Sequence, residues 1–394
     1  MTPAWSRRAL LAQLLGAASL WAAGPVEAQF VPPSTRGAAK GPLAPRAITV
    51  DAQPIPAFNR LDPQLRRVGR LSYRSGLVLT SSERQFGGLS AIRVDAAGER
   101  FLALSDHGWW FTGRIVYSGS RMVGLSEVET APLLNERGRP IWERPRWYDS
   151  ESIAIDGSVV YVGLERVNQV LRYDFAKGFT RARGEIVPVP PAVRRLPDNK
   201  GLEAMVFVPH GAEEAKGPQE GKGAQEAKGA QEAKGVQGAE GTQGTEGTTQ
   251  AAQASRLRGT LLAFSERGLD DEGNLRAFLI GGPSPGQFSV RRSEDFDISD
   301  AVLLPSGELL ILERKFSFAS GLEVRIRSLA LSSIAPGARV DGEVIFQASL
   351  AQQIDNMEGI AAHVSAEGET VLTLVSDNNF SWWQRTLLLQ FTLN

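Results

Sequence analysis

Acidic or small polar residues recur along this 394-residue chain at the edges of short apolar runs, two to a unit, in five units. Residues 88–92 (GLSAI) go with 103–107 (ALSDH), 150–154 (SESIA) with 162–166 (VGLER), and 201–205 (GLEAM) with 263–267 (AFSER). Residues 299–302 (SDAV) go with 311–314 (ILER), and 357–361 (MEGIA) with 374–378 (LVSDN). Each unit sets two polar positions side by side: Ser90 with Asp106, Glu151 with Glu165, Glu203 with Glu266, Asp300 with Glu313, and Glu358 with Asp377. Nine of these ten are carboxylates, too strong a bias for chance. Crowded carboxylates raise one another's pKa or recruit a cation. Oxygen donors without His or Cys select Ca²⁺, or Mg²⁺, over zinc. The metal-ligand candidates are Glu151, Glu203, Asp300, Glu313, Glu358 and Asp377, with companion oxygens from Asp149, Asp198 and Asp355. Candidates for activating water are Asp106, His107, Glu203 and Glu266; of the three histidines only His107 falls beside an acid of the repeat. Arg166, Arg267 and Arg314 follow second acids and suit bidentate binding of phosphate. A cation with such an arginine would neutralise a phosphoester while a carboxylate activates water. The competing reading is structural: each acid accepts backbone N–H bonds at a strand end or pairs with its neighbouring arginine.

The elements that must position these residues follow from what lies between the halves. Asp95–Gly98, Asp156-Gly157, Pro305–Gly307 and Ser365–Gly368 are turn clusters between β-rich runs, which predicts antiparallel hairpins. In a hairpin, the start of the first strand and the end of the second meet at the open end. The spacing from Ser90 to Glu151 is 61, from Glu151 to Glu203 52, and from Asp300 to Glu358 58. The step of 97 from Glu203 to Asp300 becomes 52 once the 45-residue segment 211–255 is removed. Periods of this size with four strands each predict an all-β protein, a β-propeller of five blades. The count becomes six if the long stretch from Trp109 to Tyr148 holds a degenerate blade. A β-sandwich is the alternative, but it has no reason to repeat a polar residue in phase. Residues 386–391 leave the last blade one strand short, and residues 70–79 supply the missing strand, so both termini close the ring and remove free edges.

Composition narrows the function. A net charge of −1 without a Lys/Arg stripe argues against nucleic acid, and zero cysteines exclude disulfides, thiol catalysis and Cys-ligated zinc. Residues 1–28 read as a cleaved signal segment of twin-arginine type: Arg7-Arg8, an apolar stretch, and a small-x-small end at Ala28. Export points to the periplasm or beyond, and no other segment is apolar enough to span a membrane. Residues 29–65, rich in Pro and Ala, read as a flexible lead-in, and 66–394 as the propeller domain. The insert 211–255 repeats Gly-Ala-Gln-Glu-Ala-Lys and has no apolar face to bury, so disorder is expected. Gly282–Gly286 spells a nucleophile elbow, but its two prolines make it a turn. There is no phosphate-binding loop and no dinucleotide fingerprint. Trp109-Trp110, Trp147-Tyr148 and Trp382-Trp383 fall just beyond the repeat's acids, as a stacking wall or as packing between blades.

Residues 86–91 (FGGLSA), 103–106 (ALSD), 199–204 (NKGLEA), 312–314 (LER), 356–360 (NMEGI) and 375–380 (VSDNNF) resemble the bacterial proteins described as "esterase-like activity of phytase". The resemblance runs from about Phe86 to the C-terminus in the family's order. It implies an exported propeller and hydrolysis of phosphoesters or other esters. The chain departs from its own pattern at Ser90 and by the long insert. The expectation is a monomeric, cation-dependent hydrolase of a small-molecule (phospho)ester. The rival is a non-catalytic propeller that binds a ligand or protein on the same face.

Overall fold

The computed structural model describes residues 45–179, 181–210 and 256–394. The expected signal segment 1–28 and the insert 211–255 lie outside the described residues, as does the lead-in up to residue 44.

Five antiparallel sheets form a five-bladed propeller. Each blade starts at the axis, and its first three strands run outward in chain order. The first strands are Leu89–Val94, Ser150–Asp156, Leu202–Val208, Asp297–Leu303 and Asn356–Val364, and each touches the next in a closed ring. Residues 109–148 hold no extra blade. They form the long outer hairpin of blade 1, Trp109–Ser118 with Arg121–Pro132, and a connection with the short 3-10 turn Ile141–Glu143. Among the described residues, helix is confined to such turns. Gly282–Gly286 is the turn between Leu275–Gly281 and Gly286–Val290.

The fifth blade is shared by both ends of the chain. Its first three strands are Asn356–Val364, Thr370–Asp377 and Thr386–Leu393, and its fourth is the ten-residue Leu71–Thr80, paired as Leu393↔Leu71 and Leu388↔Leu77. The described part of the expected lead-in carries two strands. Asp51–Ile55 adds to Leu71–Thr80, and Arg46–Ala47 pairs with the outer strand of blade 1. The reason is apolar anchoring: Val50, Ile55 and Phe58 are buried, and Phe58 meets Phe391 edge-on at 5.0 Å. Pro54 is tolerated because its strand lies at a sheet edge, where a missing N–H leaves no ladder bond unmade.

Inner strands such as Leu202–Val208 are buried along their whole length because both faces meet neighbouring blades. The core accordingly divides into five clusters, one per seam. Leu104, Trp110, Val162 and Tyr173 fill the seam of blades 1 and 2, and Leu310, Ile326, Ile360 and Leu374 that of blades 4 and 5. Trp110 is thus packing between blades, 5.5 Å from Tyr173. At the axis the strands approach so closely that a Cβ on Gly359 would lie 2.9 Å from the backbone nitrogen of Ile92.

Candidate functional site

A β-bulge in the same place in every blade aims the site residues. Within each inner hairpin the register skips one residue near the start of the first strand. It skips Ser90 in blade 1, Glu151 in blade 2, Glu203 in blade 3, Ser299 in blade 4 and Glu358 in blade 5. A bulge leaves such a residue out of the ladder and turns its side chain to a new direction. The residues just past the opposing pair are Asp106, Glu165, Glu266, Arg314 and Asp377. These ten positions form one mouth of the propeller.

The fourth unit therefore differs from the expectation by one residue. Its mouth positions are Ser299 and Arg314, while Asp300 and Glu313 turn away. Glu313 is fully buried inside blade 4, held by Arg325 Nε at 2.6 Å and Arg327 Nη2 at 2.7 Å. Asp300 is fully buried at the axis against Arg93, 2.7 Å away. Both lie in closed ion pairs, away from the metal-ligand positions expected of them.

The other predicted acids do converge. Glu151 feels Asp149, Glu165, Asp106 and Glu358; Glu203 feels Glu266, Glu165, Glu151 and Glu358; Asp106 feels Asp377 and Asp149. Eight carboxyl groups are thus in mutual range: Asp106, Asp149, Glu151, Glu165, Glu203, Glu266, Glu358 and Asp377. Three cations answer them. Arg314 Nη2 reaches Glu358 at 3.0 Å, Glu266 at 3.4 Å and Glu203 at 3.5 Å, and Lys200 Nζ reaches Glu266 at 2.7 Å. Arg166 Nε meets Asp149 at 2.9 Å. Glu151 has no hydrogen bond or ion pair among the described residues.

Burial above all raises six of these acids, and like charge adds to it. Glu165 and Glu358 are pushed up to about 8 and Asp377 to about 6, while Asp106, Glu151 and Glu203 lie well above the usual carboxylate range. Hydrogen bonds temper the rise only in part: Gly201 N–H donates to Glu165 Oε1 (2.9 Å), Asn356 Nδ2 to Glu358 Oε1 (2.8 Å), and Asn379 N–H to Asp377 Oδ1 (2.6 Å). Such a cluster must carry protons or hold a cation at neutral pH.

Glu165, Glu203 and Glu266 fit a cation best. Each offers an oxygen within 4.8 Å of the other two, and all three are buried. The donors are all carboxylate oxygens, the set that suits a hard divalent ion. Of the three, only Glu203 is among the sequence-based ligand candidates: Glu266 is a candidate there for activating water, and Glu165 has no role, although the repeat pairs it with Glu151. Asp149, expected only as a companion oxygen, is a full member of the cluster.

His107 stacks flat on Phe380, 4.4 Å between ring centres, and its Nε2 lies 3.7 Å from Asp106 Oδ2. Burial lowers its imidazole to about 4, so it is neutral at pH 7. Phe380 and Asn379 hold left-handed backbone (φ of 49° and 46°), which places the ring against His107. Gly88 is required below them, because its φ of 58° and the Asp106 carboxylate, 2.1 Å from an added Cβ, leave no room for a side chain. Arg267 turns outward to Asp297 and is half exposed. Trp382 and Trp383 stand exposed on the loop that follows Asp377.

The fold and site define a closed five-bladed propeller with a buried acidic mouth. The chain belongs to the phytase-like family described as "Esterase-like activity of phytase", which it matches over residues 84–215 and 214–380. Membership and fold together support a hydrolase-type function, and the family suggests a small-molecule ester as substrate. No curated protein matches the chain. Remote likeness is found to the structure of U3-55K, at 12% identity over 78% of this chain and 96% of that one, with a TM-score of 0.34. The Myxococcus xanthus glutaminyl cyclase gives 9% identity over 78% and 92%, with a TM-score of 0.34. A nidogen/laminin complex gives 8% over 78% and 87%, with a TM-score of 0.33. These overlaps are too remote to bear on function. Among the described residues no helix is long and apolar enough to cross a membrane.

Proposed function

We propose that this protein is an exported, monomeric hydrolase of phosphoesters or related small esters, dependent on a divalent cation and working at the acidic mouth. The observation that carries the reading is the imbalance of charge: eight clustered carboxyl groups meet three cations, and three of the acids bring oxygens within 4.8 Å. Glu165, Glu203 and Glu266 would hold the ion, with Glu151 and Glu358 in electrostatic range. Ca²⁺ is the first choice, since flexible all-oxygen sites suit it, and Mg²⁺ the second. When bound, the cation would offset charge on the ester and polarise it.

The chain's own groups supply the rest. Glu151 has no partner among the described residues, and once a nearby cation lowers its pKa it is free to take a proton from water. Asp106 is the second such base, oriented by Ser105 Oγ at 3.4 Å. Neutral His107 offers a hydrogen bond without charge. Arg267, half exposed, is the most accessible of the three arginines, but it too would have to release a carboxylate, Asp297, to meet an incoming anion. Arg314 holds the glutamates together and Arg166 engages Asp149, so neither approaches substrate without releasing a carboxylate.

Hydrolysis of p-nitrophenyl phosphate and p-nitrophenyl acetate, with Ca²⁺ and then with EDTA, tests the reading. Turnover lost in EDTA and restored by Ca²⁺ is the expected result. No turnover of either ester under any metal condition refutes it. Export is tested by N-terminal sequencing of the mature protein, with Gln29 the expected first residue.

A further inference from the structure

Below the acidic layer the axis is occupied by one side chain. The Arg93 guanidinium donates to the carbonyls of Ile92 (2.6 Å), Ile153 (2.5 Å), Met205 (3.2 Å), Ala301 (3.2 Å) and Ile360 (3.0 Å). Each blade contributes one of the five. They occupy the same register: each lies two residues beyond the skipped position, namely Ser90, Glu151, Glu203, Ser299 and Glu358. The sixth partner is Asp300, whose oxygens lie 2.7 and 3.0 Å from the guanidinium nitrogens and also accept the N–H groups of Ile360 and Ala301. At about 3.3 Å per residue, the guanidinium sits roughly 7 Å along the strands from the mouth layer.

A ring of carbonyl oxygens closed by one carboxylate is the donor set of a hard cation. Here a fixed organic cation fills it. A simple ion pair with Asp300 would use two of these bonds and would not demand one carbonyl from every blade.

We propose that Arg93 is a built-in axial cation and a positioning residue of the mouth. By tying the five inner strands at one level, it sets the separation of Glu151, Glu203 and Glu358, and through it the mouth's affinity for a divalent ion. The inference rests on the cation-binding reading of the mouth. It also assigns a latent cation site to the emptied ring, because removal of the side chain leaves five carbonyls and Asp300 facing one another.

The test is Arg93→Ala, read by calorimetric Ca²⁺ titration and by melting temperature, each with millimolar guanidinium or, as the neutral shape control, urea. Ca²⁺ binding should weaken about 10–100-fold, as when groups that orient metal ligands are removed. Guanidinium should restore both affinity and melting temperature, and urea neither. Unchanged Ca²⁺ affinity in the variant, or recovery of melting temperature without recovery of affinity, overturns the positioning role. Should Arg93→Ala fail to fold, Arg93→Lys keeps the charge but reaches fewer carbonyls. Weakened Ca²⁺ binding at near-native melting temperature supports the proposal, and native affinity refutes it. A native protein that binds neither Ca²⁺ nor Mg²⁺ refutes the reading of the mouth instead, and guanidinium against urea then decides the axial site by itself.

Discussion

Replacing Glu165 by Gln separates two effects that the structure assigns to one carboxyl group. Glu165 is buried, pushed up to about 8 by burial and then by Asp149 and Glu266, and belongs to the cluster fit to hold a cation. Without a cation, the folded protein keeps a proton on it up to about pH 8, while the unfolded chain releases that proton near 4.5. Its contribution to stability is therefore fully present below pH 4.5 and lost as pH rises through about 8. At about 1.4 kcal/mol per pH unit, the loss reaches about 3 kcal/mol at pH 7. Gln removes the titration and keeps an oxygen for the Gly201 N–H. In EDTA the variant should match the native protein near pH 4.5. At pH 7 it should melt higher, by about 5 °C at roughly 1.6 °C per kcal/mol for a domain of about 300 residues. With Ca²⁺ the order should reverse. The ion displaces protons from the native cluster, so its stabilisation grows from pH 5 to 8, and the variant lacks one ligand. Thermal melts across that pH range, with EDTA or Ca²⁺, read both effects. A native protein whose melting temperature in EDTA is flat from pH 5 to 8, or a variant that gains as much from Ca²⁺ as the native protein, refutes the reasoning.

The double variant Glu203→Gln, Glu358→Gln should lose most of the Ca²⁺-induced rise in melting temperature; an unchanged rise removes both residues from the site. Glu313→Gln should cost about 3–5 kcal/mol, because it leaves Arg325 and Arg327 buried without a full counter-charge, yet leave the Ca²⁺ effect intact. Loss of Ca²⁺ binding in that variant would return Glu313 to the mouth. Deleting residues 211–255 should leave folding and activity near native, since the flanking strands already meet through Gly259 N–H and the Val208 carbonyl at 2.8 Å, at the end away from the mouth. A large drop in melting temperature in the deletion would count against that.

The phase of the repeat was legible in the sequence because a propeller uses the same hairpin in every blade, and an acid at a strand end stands out against apolar runs. Blade count and closure by both termini followed from spacing and from a missing strand. The fourth unit misled because SDAV and ILER also place acids next to apolar runs, and a bulge is invisible in the letters. Only the pairing Ile298↔Glu313 followed by Asp300↔Leu312 shows that Ser299 is the skipped residue. One signal did exist: aligning Ser299 with Ser90 puts Arg314 level with Asp106. Arg93 left no such trace, since one arginine in a strand reads as a solvated side chain until five carbonyls are seen to surround it.

That slip also explains why blade 4 is the exception. Four blades send acids to the mouth, and a fifth acid would leave only Lys200 and Arg166 to offset the repulsion. Blade 4 sends Arg314 instead, which touches Glu203, Glu266 and Glu358 across the opening. One layer down the same blade inverts its sign again. Where the others present only a carbonyl, it adds the Asp300 carboxylate, and blade 1 supplies the cation, Arg93. Each layer thus contains a fixed ion of opposite sign to its surroundings. The deeper layer pairs Arg93 with Asp300, whereas the mouth keeps an excess of carboxylates over cations, and it is the layer whose acids could hold an ion from solution.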